Sequence, residues 1–355
     1  MSIKLSDVDP NFKMESTLDL QGLVYHDIKQ PPFRIYGADK ETFEKAGFWR
    51  IPEALANECS LEWGANCTAG FRVRFKTNSE YVAVKVKFVN PVETEYRSIT
   101  RMTCDLYTDY ENGSRFVQCL APRCDVVDRY ESVVHLGSNK DRYFTLNLLS
   151  YEMVKEVYIG LEKEATIDAG KEYLNMKPIV YYGSSITQGA TCHRPGNTYQ
   201  SIICRRNNID FKNLGFSGRG MAEIPVMKYI SNLDMSVFVY DALNATDFHE
   251  RGYKIVRKNN PDLPIIIVSR PDRVVKEFED SQKSSFKRRI VEMQTYINAV
   301  NNGDENVYFI DGMQFFNVPD GDCCIENGLH PSDYGFLRMA DIIGNEIDTI
   351  LRHKM

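Results

Sequence analysis

The chain has 355 residues, enough for about two domains, because a single hydrophobic core stops growing at roughly 250–300 residues. It is 43% hydrophobic and 26% charged, as ordinary soluble globular proteins are, and its net charge of −6 argues against the basic face that nucleic acid requires. It has no apolar run of the roughly 18 residues that a membrane span needs, and Met1–Asp7 has no apolar signal core, so no membrane association is expected and the cytoplasm is the expected location.

Strand signals dominate to about residue 172. Phe71–Phe75 alternates apolar and basic residues, Tyr81–Phe88 continues the period of two, and Asn78-Ser79 between them suits a hairpin turn. Met102–Tyr107, Phe144–Leu149 and Val154–Leu161 read the same way. Many short strands separated by Gly, Asn and Pro predict an antiparallel, jelly-roll-like β-sandwich over residues 1–172. Within it, Phe48-Trp49-Arg50 and Trp63 offer aromatic surfaces of a kind that stacks on sugars, although such side chains also fill cores. Asp168, Gly170 and Pro178 break the pattern, which places a linker near Thr166–Lys177.

From residue 173 to 355 the period changes. Ile179–Tyr182, Asp210–Leu214, Val237–Asp241, Ile265–Ser269 and Val307–Asp311 read as strands, and Pro195–Arg206, Phe286–Val300 and Asp333–Leu351 as helices. This alternation predicts a flavodoxin-like, doubly wound parallel sheet with helices on both faces. Such sheets take ligands at the carboxyl ends of their strands.

Three motifs fall at such ends, and a fourth precedes the last helix. Gly183-Ser184-Ser185-Ile186-Thr187-Gln188-Gly189 puts a serine at a tight strand-to-helix turn, exposed near helical N–H dipoles, where an acyl-transfer nucleophile is useful. Asn213-Leu214-Gly215-Phe216-Ser217-Gly218 ends the second strand, and Val237–Asp241 runs into Ala242-Leu243-Asn244. Asn327-Gly328-Leu329-His330-Pro331 precedes the last helix. In this order the motifs supply a serine, a glycine, an asparagine and a histidine. The sequence here resembles the SGNH (GDSL-type) hydrolases, in the subgroup reading G-S-S-I-T-x-G. Asp105-Leu106-Tyr107 resembles the D-L-Y signature of the small β domain that precedes some of them, with Cys104 where that signature has Gly.

The resemblance implies Ser185 as nucleophile, His330 as its base, and the Ser185 N–H, the Gly218 N–H and the Asn244 side chain as oxyanion donors. Each also has a plain structural reading: a helix-capping serine, a turn glycine, an Asx turn. Around the asparagine, Ala242-Leu243-Asn244-Ala245 replaces the family's usual G-x-N-D, and Asp241 reads as a turn anchor. Asn327 stands where the family has an Asp. It can orient the imidazole through its amide oxygen but cannot stabilise imidazolium as a charge would. Three possibilities follow: a working dyad oriented by Asn327 or a main-chain carbonyl, an acid supplied by Glu326 or Asp322, or a weakened site. Arg194 and Arg270 lie on loops that could line the substrate site, or they are solvated charges.

The nine cysteines show no paired metal-ligand spacing and read as free buried thiols. Neither Cys192-His193 nor Cys323-Cys324 has a second pair to complete a metal site, although the latter could make the neighbourhood of His330 sensitive to oxidation. The expectation is a serine esterase acting without metal or cofactor on a small-molecule or oligosaccharide ester, and the resemblance implies an acetyl ester. The alternatives are an acyltransferase with the same acyl-enzyme and a carbohydrate-binding protein with a degenerate site. Oligomeric state is not encoded legibly.

Overall fold

The computed structural model describes residues 18–91, 101–122, 128–174, 177–242, 246–271 and 279–354, with 279–285 and 353–354 as backbone alone. The first group of strands comprises β1 (Leu23–Asp27), β2 (Arg34–Tyr36), β3 (Arg72–Thr77), β4 (Tyr81–Phe88), β5 (Cys104–Tyr110), β6 (Gly113–Leu120), β7 (Arg129–His135), β8 (Arg142–Asn147), β9 (Val154–Glu162) and β10 (Ile167–Ala169). They make two antiparallel sheets, one ordered β1-β9-β4-β7, the other β10-β3-β8-β5-β6 with β2 beside β3. Val73, Phe75, Leu106, Phe144 and Leu146 of one sheet share a core with Val82, Val84, Val86, Val157 and Ile159 of the other. This is the expected sandwich.

Two local expectations fail. β3 and β4 do not form a hairpin: β3 pairs with β2, β8 and β10, whereas β4 pairs with β7 and β9 in the opposite sheet. Asn78-Ser79 is a corner between sheets. Its polar side chains take the bonds that a hairpin ladder would supply, Asn78 Oδ1 accepting from Thr166 N (2.8 Å) and Ser79 Oγ from Glu162 N (3.1 Å). The linker is also shorter than expected, because Ile167–Ala169 pairs with Phe75–Thr77 as β10. β6 escaped notice because Ser114, Arg115 and Gln118 dilute its pattern, as suits a largely exposed edge strand.

The second group is β11 (Ile179–Gly183), β12 (Phe211–Gly215), β13 (Val237–Asp241), β14 (Ile265–Val268) and β15 (Val307–Ile310), parallel throughout and ordered β12-β11-β13-β14-β15. That is the flavodoxin-like order. The helices, counted along the chain, are α1 (Lys40–Ala46), α2 (Glu53–Glu58), α3 (Glu62–Ala65), α4 (Ser185–Gln188), α5 (Tyr199–Asn207), α6 (Ile224–Ile230), α7 (Phe248–Asn259), α8 (Glu279–Asn301), α9 (Met313–Phe316) and α10 (Asp333–Lys354). The helix expected over Pro195–Arg206 is broken: a 3-10 turn spans Pro195–Asn197, and Thr198 caps α5. Alternate strand residues serve opposite faces. Tyr181, Val239 and Ile266 pack with Ile203 of α5 and Phe336 and Ile343 of α10. Val180, Tyr182, Phe238 and Tyr240 pack with Val226 of α6 and Val256 of α7. Ile51, Ala56, Leu61 and Ala65 join this second core, although they precede β3 in the chain.

Buried arginines cover the edge of this sheet. Among the described residues β12 pairs only with β11, so the carbonyls on its outer side have no strand partner there. Arg72 donates to Phe211 O (3.0 Å), and Arg50 donates to Asn213 O (2.9 Å) and Gly215 O (2.6 Å). These are alternate residues whose carbonyls point the same way, so two side chains from the N-terminal region do the work of a sixth strand. Arg72 also pairs with Asp210.

A third link involves the D-L-Y residues. Asp105 is fully buried and accepts from Asn147 Nδ2 (2.7 Å), Gly196 N (2.9 Å) and Arg194 Nη1 (2.9 Å), while Tyr107 OH also meets Arg194. Burial pushes the Asp105 carboxyl up, against the pull of Arg194. Breaking a buried pair leaves the other charge uncompensated. Asp105→Ala is therefore expected to cost about 3–5 kcal/mol of unfolding free energy. Urea denaturation checks this, and a loss below about 1 kcal/mol would show the link to be dispensable.

Candidate active site

Ser185 opens α4 directly beyond β11. The turn is tight because two glycines let the helix settle onto the sheet. A Cβ at Gly183 would lie 2.2 Å from Thr187 Oγ1, and one at Gly215 would lie 2.2 Å from Gln188 N. Gly189, in the left-handed region at φ 102°, ends the helix. Asp241 anchors the turn from β13, its Oδ2 accepting from Thr187 Oγ1 at 2.8 Å. Burial pushes the Asp241 carboxyl up to about 7, with the Thr187 hydroxyl only partly opposing the shift.

Ser185 Oγ lies 2.8 Å from His330 Nε2, and His330 Nδ1 lies 3.1 Å from Asn327 Oδ1. The tautomer follows from a neighbouring bond. The His330 main-chain N–H, an unambiguous donor, also points at Asn327 Oδ1 (3.0 Å), so the amide oxygen faces the ring. An oxygen opposite Nδ1 requires the proton there. Nε2 therefore presents its lone pair to the Ser185 hydroxyl. The supporting loop is closed by an Ile325–Pro331 bridge, by Glu326 N donating to His330 O (2.9 Å), and by Thr191 Oγ1 donating to Pro331 O (2.7 Å). Glu326 and Asp322 are exposed, and among the described residues neither side chain bonds to the imidazole.

His330 is half-buried, and its pKa is lowered by that burial and then by the charge of Arg270. Arg270 is near enough for its charge to act on the base; it is half-buried, with its main-chain N–H on Glu292 (3.2 Å). Arg194 is different. It is no solvated charge: it is committed to Asp105 and Tyr107 and lies 4.0 Å from the centre of the Phe116 ring. Gly218 follows β12 at φ +70°. Ser217 N is engaged by Gln188 Oε1 (2.8 Å), whereas the N–H groups of Ser185 and Gly218 meet no acceptor among the described residues. Asn244 lies outside the described residues.

Two neighbours, Ser150 and Tyr151, had no sequence signal. Tyr151 OH donates to Ser185 O (3.1 Å), and Gln188 Nε2 to Ser150 O (3.2 Å), so the end of β8 and its loop form one wall of the site. Trp63 is partly exposed and packs on Tyr151, ring centres 5.7 Å apart. The aromatic surface expected at Phe48-Trp49-Arg50 is absent: Phe48 and Arg50 are buried, and Trp49 packs against the core. Cys323 is exposed rather than buried, while Cys324 is buried.

Comparison with known proteins gives the family and the fold. Residues 176–348 match the model of the GDSL-like lipase/acylhydrolase family, and residues 23–167 match the N-terminal region of SGNH hydrolase-type esterases. The chain belongs to the GDSL-like lipase/acylhydrolase family. A solved structure from Bacteroides ovatus described as a GDSL-like lipase is 25% identical, with a TM-score of 0.82 over 93% of this chain and 98% of its own. A salicylyl-acyltransferase from a tetracycline biosynthetic pathway shares the fold at 19% identity and a TM-score of 0.72, with coverage of 93% and 98%. A family two carbohydrate esterase from Clostridium thermocellum, solved with cellohexaose, shares it at 16% identity and a TM-score of 0.56, with coverage of 93% and 99%. No curated protein matches significantly.

Within this GDSL-like chain, the depressed His330 has a measurable signature. Its imidazole should titrate below 6.5 in an NMR pH series, staying neutral until the pH falls through that lower value. Arg270→Gln should raise the midpoint, but only in part, because burial is the larger cause. A midpoint at or above 6.5 in the native chain would contradict this arrangement.

Proposed function

We propose that this GDSL-like hydrolase is a serine esterase that cleaves short acyl esters, acetyl foremost, from carbohydrate through an acyl-enzyme. The observation that carries the proposal is the continuous line of Ser185 Oγ, His330 and Asn327 Oδ1, with bonds of 2.8 and 3.1 Å. Ser185 attacks the ester carbonyl while Nε2 of His330 takes its proton. The N–H groups of Ser185 and Gly218 face the developing oxyanion, and Asn244 is assigned as the third donor. His330 then returns the proton to the leaving alcohol, and a water activated in the same way releases the acid. Asn327 holds Nδ1–H and keeps the reacting tautomer without adding a charge. The fold shared with carbohydrate esterases and the partly exposed Trp63 beside Tyr151 support the sugar assignment. Neither the proposed chemistry nor the proposed substrate calls on a metal or cofactor.

The alternative is an acyltransferase that passes the same acyl group to an alcohol other than water, a reading favoured by the fold shared with the salicylyl-acyltransferase. Product analysis with candidate acceptors separates the two.

A panel of p-nitrophenyl esters and acetylated oligosaccharides tests the proposal. Acetyl esters should give a higher kcat/KM than octanoyl esters. A fluorophosphonate should modify Ser185, and Ser185→Ala should abolish turnover while retaining the melting temperature. Modification of another serine, or full activity in the alanine variant, would sink the assignment.

Asn327 offers a separate test. Asn327→Ala removes one orienting acceptor and should lower kcat by about 10–100-fold, whereas His330→Ala should lose several orders of magnitude, as triad members do. Asn327→Asp places a carboxylate on Nδ1, favours imidazolium and raises the His330 pKa. Because the base acts only when neutral, the acid limb of kcat/KM should then move to higher pH. An unmoved limb would remove Asn327 from the mechanism.

A further inference from the structure

Arg50 belongs to the N-terminal region by sequence but sits between two cores, with Phe48 in one and Ile51 in the other. Its guanidinium donates to Asn213 O, Gly215 O and Gly64 O and lies 4.8 Å from the centre of the Phe216 ring. Among the described residues no carboxylate pairs with it, and Nε is buried without a partner. Burial pushes its pKa down to about 10. A buried cation held by carbonyls alone is a costly way to finish a strand edge. Arg72, on the same edge, has Asp210 to compensate it. Stability alone does not account for the choice at position 50.

What distinguishes Arg50 is where its acceptors lead. Asn213 Nδ2 donates to Thr187 O (2.7 Å) on the helix that carries Ser185. Asn213 Oδ1 accepts from Gly215 N (2.9 Å) and lies 3.4 Å from Arg50 Nη1. Beyond Gly215 the chain turns at once: Phe216 N donates to Gly183 O and Arg219 N to Phe216 O, both at 2.9 Å, with Gly218 inside that turn. One guanidinium therefore grips the base of the Gly218 turn directly and the Ser185 helix through a single amide.

We propose that Arg50 is a positioning residue that sets the spacing between the Ser185 and Gly218 N–H groups, which makes the N-terminal region part of the catalytic apparatus rather than an appended module. The inference rests on the esterase reading above.

The test compares Arg50→Lys with Arg72→Lys in the full chain, using p-nitrophenyl acetate, whose small size removes any contribution from sugar binding. A lysine keeps the charge but cannot hold both β12 carbonyls in the guanidinium geometry. In Arg50→Lys, kcat should fall about 10–100-fold with KM nearly unchanged, and a boronic acid that forms a tetrahedral adduct should lose affinity by a similar factor. Arg72→Lys, further from Gly218, should lower the melting temperature but leave kcat within about twofold, since only the edge is affected. Equal kcat losses in the two variants, a loss confined to KM, or an unchanged kcat in Arg50→Lys would overturn the proposal. Should Arg50→Lys fail to fold, Asn213→Asp decides. It keeps an acceptor for Gly215 N and Arg50 but removes the donor to Thr187 O, and it should lower kcat with little effect on KM. An unchanged kcat there also overturns the proposal. A wild-type chain whose Ser185 does not react with a fluorophosphonate would instead sink the esterase reading itself.

Discussion

The parallel sheet ends in an edge that no strand completes among the described residues. Backbone carbonyls inside a protein must find donors. The chain answers with side chains carried on the other sheet system: Arg72 on Phe211 O and Arg50 on Asn213 O and Gly215 O. Because guanidinium groups are rigid forks, they fix direction as well as supply protons. The β-sandwich is thereby locked to the strand that leads into Gly218. The Asp105–Arg194 link locks it to the segment that follows the elbow. Two contacts from the same wall then reach the elbow, Tyr151 on Ser185 O and Ser150 O on Gln188. A hydrophobic contact between domains can slide. Directional bonds to the strand edge, to the segment after the elbow and to the elbow itself cannot do so without breaking.

The same constraint explains what was legible in the sequence. Each half has a clean period, two in the sandwich and strand–helix alternation after residue 173, so both architectures could be read from apolar spacing alone. The elbow, the Gly218 turn and the His330 loop were legible because tight turns demand particular residues at fixed offsets. What could not be read was anything decided between the halves. Asn78-Ser79 carries the polar turn signal of a hairpin, and only the partner sheets determine that it is a corner. Arg194 and Arg50 look like loop charges in a sequence. Their partners are 89 and 163 residues away, and no local pattern encodes such a pairing. Tyr151 was invisible as a neighbour of Ser185 for the same reason, whereas Trp63 could be singled out only by its residue type.

Charge around His330 sets the character of the proposed chemistry. Its Nδ1 faces a neutral amide, and Arg270 adds a positive charge nearby. Asp241, the carboxyl that anchors the elbow from below, is held near neutrality by burial. In the proposed mechanism, the imidazolium formed when Ser185 gives up its proton has, among the described residues, no carboxylate bonded to it. That raises the free energy of the first proton transfer and places more of the barrier on the oxyanion donors, whose worth is typically about 3–4 kcal/mol each. The second half of the reaction gains from the same arrangement. A less basic imidazole gives its proton more readily to a leaving alcohol. It also stays neutral at a lower pH than an Asp-backed one, so a site of this kind keeps its base in working form under mildly acidic conditions. A catalyst that relies on donors more than on its base must hold those donors rigidly. On the proposed mechanism, that gives a physical role to the arginine grip on the strand edge that leads into the Gly218 turn.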